Sequence, residues 1–505
     1  MDIYQSLAPY SGHKIIANIN LPEYMAASDE FSIFNRLLVA TGWADSLRAE
    51  RDEEYERLLL SGHFPTPPAH PTYRPIGGGS LSYPRERKYG FTILAETDSV
   101  YEAMTGLKAG DITPEAVARA VESLGIKGGE NNGKYTSPDN TLNLFVSYHL
   151  LPVALDHKDL VMHFNEYGYS RIDRIPASNV TEYHETMGRG RRLLKMSESA
   201  KSGGLHINRY VRMDPKTYMD DPDATEGFIP GILLKRDAKR AINGYVYAIH
   251  EPLLYTDETA RKVLGSERMR HDLAALLPEL MNNGIRNTET YDGAGDCVFP
   301  RHQDYPYFAN VEVMSDTYTY YLGGRINKST AWTNYQGDEF GFIGSADIII
   351  KLPAVPVDGV YELRLGINRI DRCGVRQFFF GQDKDHLSPC GLPVDMTKRL
   401  SYFLSDFEDT NDEILNRLID LQLHEKNMMK GPKSIISSYS DGTARHEEAR
   451  LRTIIGRFAM KAGETYYLRI TDCNVVSSLP EIDLDYIELV PQSVYANPIE
   501  AEDIW

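Results

Sequence analysis

Cysteine is scarce: four residues in 505, Cys297, Cys373, Cys390 and Cys473, all beyond residue 296. None stands in a CxxC spacing, so a zinc site built on paired thiolates is excluded. Cys373 and Cys390 are near enough in sequence to close a loop disulfide in an exported chain, and buried free thiols are the other reading. No run of 18 apolar residues exists, which excludes a membrane-spanning helix. The opening MDIYQSLAPY lacks a basic segment and an apolar core, so it is no secretory leader. The expectation is either a cytosolic chain or a mature export product. Basic residues are outnumbered, 54 against 72 acidic, for a net charge of −18. This argues against broad binding to nucleic acid or anionic lipid, which needs a basic surface. GxSxG, HExxH and Walker motifs are all absent. The Gly77-Gly78-Gly79-Ser80 run has no strand before it and no clear helix after it, so it reads as a flexible loop.

What is present is ordinary globular material. Hydrophobic residues make up 42% and charged residues 25%, enough for large cores in two to four domains. Tyrosine is abundant, 32 residues against 17 Phe and 3 Trp. Tyr-rich surfaces contact sugars and proteins through a rigid apolar ring with a polar tip, and Tyr is equally at home in strands.

The organising stretch is Tyr89–Met104, YGFTILAETDSVYEAM. Phe91–Ala95 reads as a buried strand, and Thr97 or Asp98 caps a helix that buries Val100, Tyr101, Met104 and Leu107. Upstream, a helix with Phe31, Phe34, Leu37 and Leu38 on one face ends at Gly42. Downstream, Thr113-Pro114 starts another helix. Thr141–Leu151 is a third, closing on Tyr148-His149. Without a nearby constellation of partners, His149 reads as a core histidine whose ring bonds a backbone group. Arg189, Arg191 and Arg192 form a basic cluster expected on a solvated loop or hairpin tip. Leu205–Val211 and Asn243–Leu254 read as strands.

Three of these stretches resemble the signatures of the fasciclin family, in order. They are Phe91-Thr92-Ile93-Leu94-Ala95-Glu96-Thr97-Asp98, then Tyr148-His149, then Leu205–Val211 with Asn243–Leu254. In the last, Glu251 follows His250 where the family usually carries Asp. The resemblance spans about residues 28–256. It implies a fasciclin-like domain at 1–257 with insertions, a β-wedge with packed helices, serving binding and adhesion. Phe91, Thr92, Thr97, Asp98, Tyr148 and His149 are then structural motif residues.

Residues 257–286 read as helical, with Leu273, Leu276, Leu277 and Leu280 on the apolar face, so 258–305 is expected to be a helical linker. From residue 306 to 505 strand patterns dominate, with a helical insertion at 405–429 whose apolar face is Ile414, Leu415, Leu418 and Leu421. IIIKLPAVPVDGVYELRLGI and DLDYIELVP resemble the galactose-binding-like jelly-roll sandwiches of carbohydrate-active proteins. The whole is expected to be α+β, a fasciclin-like domain followed by a β-sandwich.

The combination resembles outer-membrane surface lipoproteins of gut Bacteroidota that accompany SusC/SusD-type importers. That resemblance implies a non-enzymatic accessory glycan-binding or scaffold subunit at the extracellular face. Its partners would be a TonB-dependent transporter, a SusD-like lid protein and a polysaccharide or oligosaccharide. The anchor would be a lipid that this sequence does not itself encode. No cofactor and no metal are expected, since Asp347 and Asp483 lack a calcium ligand pattern. Trp332, Asn334, Tyr335 and Asp338 combine stacking rings with hydrogen-bonding groups on one expected loop and are the candidate glycan contacts; Trp332 equally suits the sandwich core. The alternatives are a fasciclin-type adhesin for protein or matrix partners, and a glycan-degrading enzyme, which needs two carboxylates across a cleft.

Overall fold

Asn20 starts the described chain's first helix through a capping box: its side chain accepts from the Glu23 amide at 3.1 Å and its own amide donates to Glu23 Oε2 at 3.0 Å. The structure is a computed structural model. It describes residues 18–67, 69, 81–126, 128–129, 133–161, 179–199, 204–210, 213–214, 219–220, 228–286, 296–322, 335, 338–369, 371–404, 410–432, 451–474 and 480–496. The fold is α+β, with helices and several sheets, none of them closed into a barrel among the described residues.

The first half opens with α1 (Leu21–Ala27), α2 (Ser32–Thr41), α3 (Trp43–Ser46) and α4 (Glu53–Leu60). Strand β1 (Phe91–Glu96) leads into α5 (Asp98–Thr105), α6 (Pro114–Ser123) and α7 (Thr141–Ser147). The punctuation expected from sequence is physical. Gly42 adopts φ 80° to end α2, and Thr113 Oγ1 accepts from the Ala116 amide with Pro114 at the first turn of α6. Strands follow: β2 (Leu150–Leu151), β3 (Asn179–Glu185), β4 (Leu193–Ser199), β5 (Gly204–Ile207), β6 (Met213–Asp214), β7 (Met219–Asp220), β8 (Ile232–Leu234), β9 (Lys239–Ala241) and β10 (Gly244–Ile249). The sheet order β2-β1-β10-β9 puts β1 parallel to β10, with Phe91 opposite Gly244. A second sheet runs β3-β4-β5-β8, and β6 pairs with β7. The helices other than α4 share one apolar cluster with β1, while Tyr55 of α4 joins the core of the second half; another cluster lies between the two sheets, with Leu94, Tyr148, Leu194 and Tyr247.

The second half contains β11 (Met269–Asp272), α8 (Pro278–Asn282), β12 (Cys297–Val298), β13 (Val311–Val313), β14 (Tyr318–Leu322), β15 (Glu339–Ile343), β16 (Asp347–Lys351), β17 (Gly359–Ile367) and β18 (Val375–Gly381). Then come β19 (Ser388–Pro389), β20 (Val394–Asp395), α9 (Leu400–Phe403), α10 (Glu413–His424), β21 (Met428–Met429), β22 (Arg452–Met460), β23 (Tyr467–Asn474), β24 (Glu481–Pro491) and α11 (Gln492–Tyr495). They form an eight-stranded sheet, β12-β14-β15-β24-β17-β22-β21 with β11 beside β24, and a six-stranded sheet, β13-β16-β23-β18-β19 with β20 beside β18. Leu363, Leu365, Ile487 and Leu489 of the first share one buried cluster with Ile348, Ile350, Leu468 and Ile470 of the second. The two sheets therefore pack as a sandwich over alternating apolar positions.

Three sequence expectations change, and of the two readings of Cys373 and Cys390 the free thiols hold. The 257–286 stretch is not one helix: Thr259–Leu264 forms a π-type turn, Met269–Asp272 is a strand on β24, and only Pro278–Asn282 is α-helical. Pro278 and the pairing partner on β24 outweigh the leucine periodicity. In α10, Ile414, Leu415, Leu418 and Leu421 are exposed, while Ile419 and Leu423 are buried. Arg191 is no solvated tip. It pairs with Glu185 and donates to Leu352 O at 2.9 Å and Glu464 O at 2.8 Å, fastening the β3–β4 hairpin onto the second half. All four cysteines are free thiols, so Cys373 and Cys390 form no bridge.

Candidate functional site

Strand alternation gives each sheet of the sandwich one apolar face, and the opposite faces carry the chemistry. On β24 the outward residues Glu481, Asp483, Tyr486 and Glu488 lay a polar stripe along the eight-stranded sheet. Around Glu488, Arg270 Nε lies at 2.9 Å, Arg452 Nη1 at 3.2 Å and Arg364 Nη1 at 3.7 Å. Burial works to raise this carboxyl; the Arg452, Arg270, Arg268 and Arg364 charges overcome it and hold the group well below the usual carboxylate range.

Tyr335 joins this end of the stripe. Its ring meets Tyr486 edge-on at 5.4 Å, and the Arg270 guanidinium sits 5.0 Å from the Tyr335 centroid and 5.3 Å from that of Tyr486. The Tyr335 amide donates to Asp485 Oδ2 at 2.8 Å. Asp338 goes elsewhere: its Oδ2 accepts from Arg286 Nε at 2.9 Å and from the Tyr321 hydroxyl at 3.0 Å, while Arg286 Nη2 reaches Asp272 at 3.1 Å. Tyr335 and Asp338 are only 3% and 5% exposed, so neither presents a surface to a glycan. Trp332 and Asn334 lie outside the described residues.

Two carboxylate groupings have the composition of a cation site: Asp272 with Asp338 and Asp485, and Glu339 with Glu481 and Asp483. In the first, Arg286 already supplies the positive charge. In the second, the Tyr320 hydroxyl donates towards Asp483 and lies 3.2 Å from Glu339 and 3.3 Å from Glu481. Asn368 and Arg372 hold the remaining oxygens of Asp483 and Glu481. Burial, and the neighbouring Asp483 charge after it, raise the Glu481 carboxyl.

Phe91, Thr92, Thr97, Tyr148 and His149 of the first half are buried, and Asp98 is half-buried. Thr92 Oγ1 donates to Val153 O at 2.7 Å, and Asp98 accepts from Ser32 Oγ at 2.5 Å and from the Ile33 amide at 2.8 Å. Thr97 Oγ1 pairs with Ser99 Oγ, and Phe91 sits in the helix-side core. The Tyr148 hydroxyl donates to Leu193 O at 3.1 Å and accepts from Asn208 Nδ2 at 2.9 Å. His149 Nδ1 lies 2.8 Å from Phe145 O, and Nε2 lies 3.4 Å from Glu96 Oε1.

The outer face of the six-stranded sheet is different: Asp347, Gln377, Phe379, Tyr467, Arg469 and Thr471 are half-exposed there, around a buried Ile349. Cross-strand register sets Arg469 of β23 beside Phe379 of β18, and Thr471 between Asp347 of β16 and Gln377 of β18. Tyr467 lies one row away, opposite Lys351. Arg469 grips Asp347 through two bonds of 2.7 and 2.8 Å, and its guanidinium lies 6.0 Å from the Phe379 ring. The result is a platform on which two aromatic rings, Phe379 and Tyr467, share one sheet face with a guanidinium, a carboxylate, a carboxamide and a hydroxyl. Sequence reading placed strands here but not a site. The signal was the alternation in VRQFFFG and YLRIT, which puts Gln377, Phe379, Tyr467, Arg469 and Thr471 on one side.

No protein-family model and no curated protein matches this sequence. Among solved structures, the chain is similar to the K1 cleaved adhesin domain of Lys-gingipain from Porphyromonas gingivalis W83. Identity is 10% over 36% of this chain and 91% of that one, with a TM-score of 0.19. It is also similar to the mosquito-larvicidal Cry4Aa toxin from Bacillus thuringiensis, at 11% identity over 68% of this chain and 44% of that one, again with a TM-score of 0.19. Overlaps this small leave the function to be argued from the residues.

Proposed function

We propose that this chain is a non-enzymatic cell-surface binding protein, an accessory glycan-binding or scaffold subunit of a SusC/SusD-type importer. It would be lipid-anchored at the extracellular face of the outer membrane. The observation that carries the reading is the open platform of Phe379, Tyr467, Arg469, Asp347, Gln377 and Thr471. Sugar rings offer apolar C–H faces that stack on aromatic rings, and hydroxyls that pair with carboxylates, guanidiniums and amides. The platform offers both, whereas Tyr335 and Asp338 are buried.

The division into a fasciclin-like domain and a jelly-roll sandwich is part of the same proposal. Its support is the parallel pairing of the Phe91–Glu96 strand with the Gly244–Ile249 strand, and the apolar core shared by the two sheets of the second half.

The test has two arms. A glycan array probed with the purified chain is expected to give polysaccharide binding that Phe379→Ala removes. Affinity capture from solubilised outer membranes of the native source is expected to recover a TonB-dependent barrel with its lid protein. Reducing ends released from a bound glycan would instead establish an enzyme.

A further inference from the structure

We infer that the open face of the six-stranded sheet selects uncharged sugar, with Arg469 and Asp347 acting as one unit on two neighbouring hydroxyls. This rests on the glycan-binding proposal and adds to it the chemical class of the ligand. Charge balance carries it. Arg469 Nε and Nη2 hold both oxygens of Asp347, at 2.7 and 2.8 Å. In the same row as Arg469, two strands over, stands Glu312 of β13. Lys384, from the connection between β18 and β19, holds both of its oxygens, at 2.7 and 3.0 Å. Lys351, opposite Tyr467, lies 3.8 Å from Glu185. Each of these three cations already faces a carboxylate.

The rim tips the balance to the negative side. In the connection that supplies Lys384, His386 Nδ1 lies 2.9 Å from Asp383, while Asp385 is exposed and has no ion-pair partner among the described residues. The net charge of −18 on the whole chain acts in the same direction. A uronate or a sulfate ester would have to draw Arg469 or Lys384 away from its carboxylate. That carboxylate would then stand beside a second anion, and like charges set side by side oppose binding.

An uncharged sugar needs no such exchange. The fork between Arg469 and Asp347 uses Nε and Nη2, which leaves the Nη1 hydrogens as donors and lone pairs on both carboxylate oxygens as acceptors. Of two adjacent hydroxyls, one accepts from the guanidinium and the other donates to the carboxylate, and the ion pair stays closed. Thr471 and Gln377, in the Asp347 row, continue the hydrogen-bonding edge. Phe379, beside Arg469, takes the C–H face of the ring. The aromatic side chains supply affinity, and the closed ion pair decides which sugars are accepted.

A glycan array carrying neutral, uronate-containing, sulfated and glucosamine-containing polysaccharides, probed with the full chain, tests this. Signal is expected on neutral polysaccharides, lost in Phe379→Ala, and equal within about twofold at about 50 mM and about 500 mM salt, because screening acts on charges. Asp347→Asn releases the Arg469 guanidinium, so this variant is expected to bind uronate-containing polysaccharides about tenfold more tightly than the unmodified chain at the lower salt. The higher salt is expected to remove that gain. Salt-sensitive, Phe379-dependent binding of a uronate, sulfated or glucosamine polymer by the unmodified chain would keep the platform and overturn the choice of uncharged sugar. An Asp347→Asn variant with unaltered preference would overturn it too. No glycan signal at all, or a signal untouched by Phe379→Ala, would instead bring down the platform and this inference with it.

Discussion

Tyr486 on β24 lies across Gly366, its directly paired neighbour on β17, and a Cβ at position 366 would run into the ring. Tyr320 and Gly341 repeat the arrangement between β14 and β15. Each glycine gives a tyrosine room to lie flat over the sheet, and each tyrosine covers backbone that glycine leaves bare.

Gly366→Ala is therefore expected to cost about 1–3 kcal/mol through overpacking, read as a lower denaturation midpoint. An unchanged midpoint would mean that the ring moves aside freely.

Glu488 is the counter-charge for the surrounding arginines. Glu488→Gln leaves Arg270, Arg364 and Arg452 crowded around a neutral group in a buried site. The expected loss is about 3–5 kcal/mol, the range for breaking a buried ion pair from one side. Chemical denaturation measures it, and a loss below about 1 kcal/mol would show that the charges are balanced elsewhere.

His271 gives the acid side of the pH profile. Burial, reinforced by His184 and opposed by Glu185, holds its imidazole down to about 3. Unfolded imidazole titrates near 6.5. Between these values the unfolded chain takes up a proton that the folded chain refuses, so this contribution falls as pH drops from about 6.5 towards 3. The slope is at most about 1.4 kcal/mol per pH unit. His271→Phe is expected to shrink the fall in stability between about pH 7 and about pH 5; an unchanged fall would contradict the account.

The exposed stripe of α10 is not core. Leu418→Gln and Leu421→Gln are expected to alter stability by less than about 0.5 kcal/mol, whereas Leu423→Ala, fully buried, should cost about 2–5 kcal/mol. Thermal melts of the three variants decide it.

Much of the architecture was legible from local chemistry. Apolar runs gave the Phe91–Glu96 strand, the caps at Thr113 and Gly42 bounded helices, and alternation exposed the strands of the second half. What failed was partner choice. The leucines of 273–280 are periodic, but Met269–Asp272 finds an edge on β24 that no local pattern announces. Residues on α10 are periodic too, and which side of that helix turns inward depends on Met428 and Leu451 lying against Ile419 and Leu423. Tyr335 and Asp338 turn on the same cause: Arg270, Tyr486 and Arg286, far away in sequence, draw them inward. The platform at Phe379 and Arg469 needed Asp347 from a third strand to become visible.

The central claim is that the open face of the six-stranded sheet binds glycan, and a binding titration of one array-selected polysaccharide against the unmodified chain and Phe379→Ala tests it most directly. The account predicts roughly fivefold to tenfold weaker binding on losing the ring, with an unchanged melting temperature. Equal affinity in both proteins would contradict it and move the site off this face.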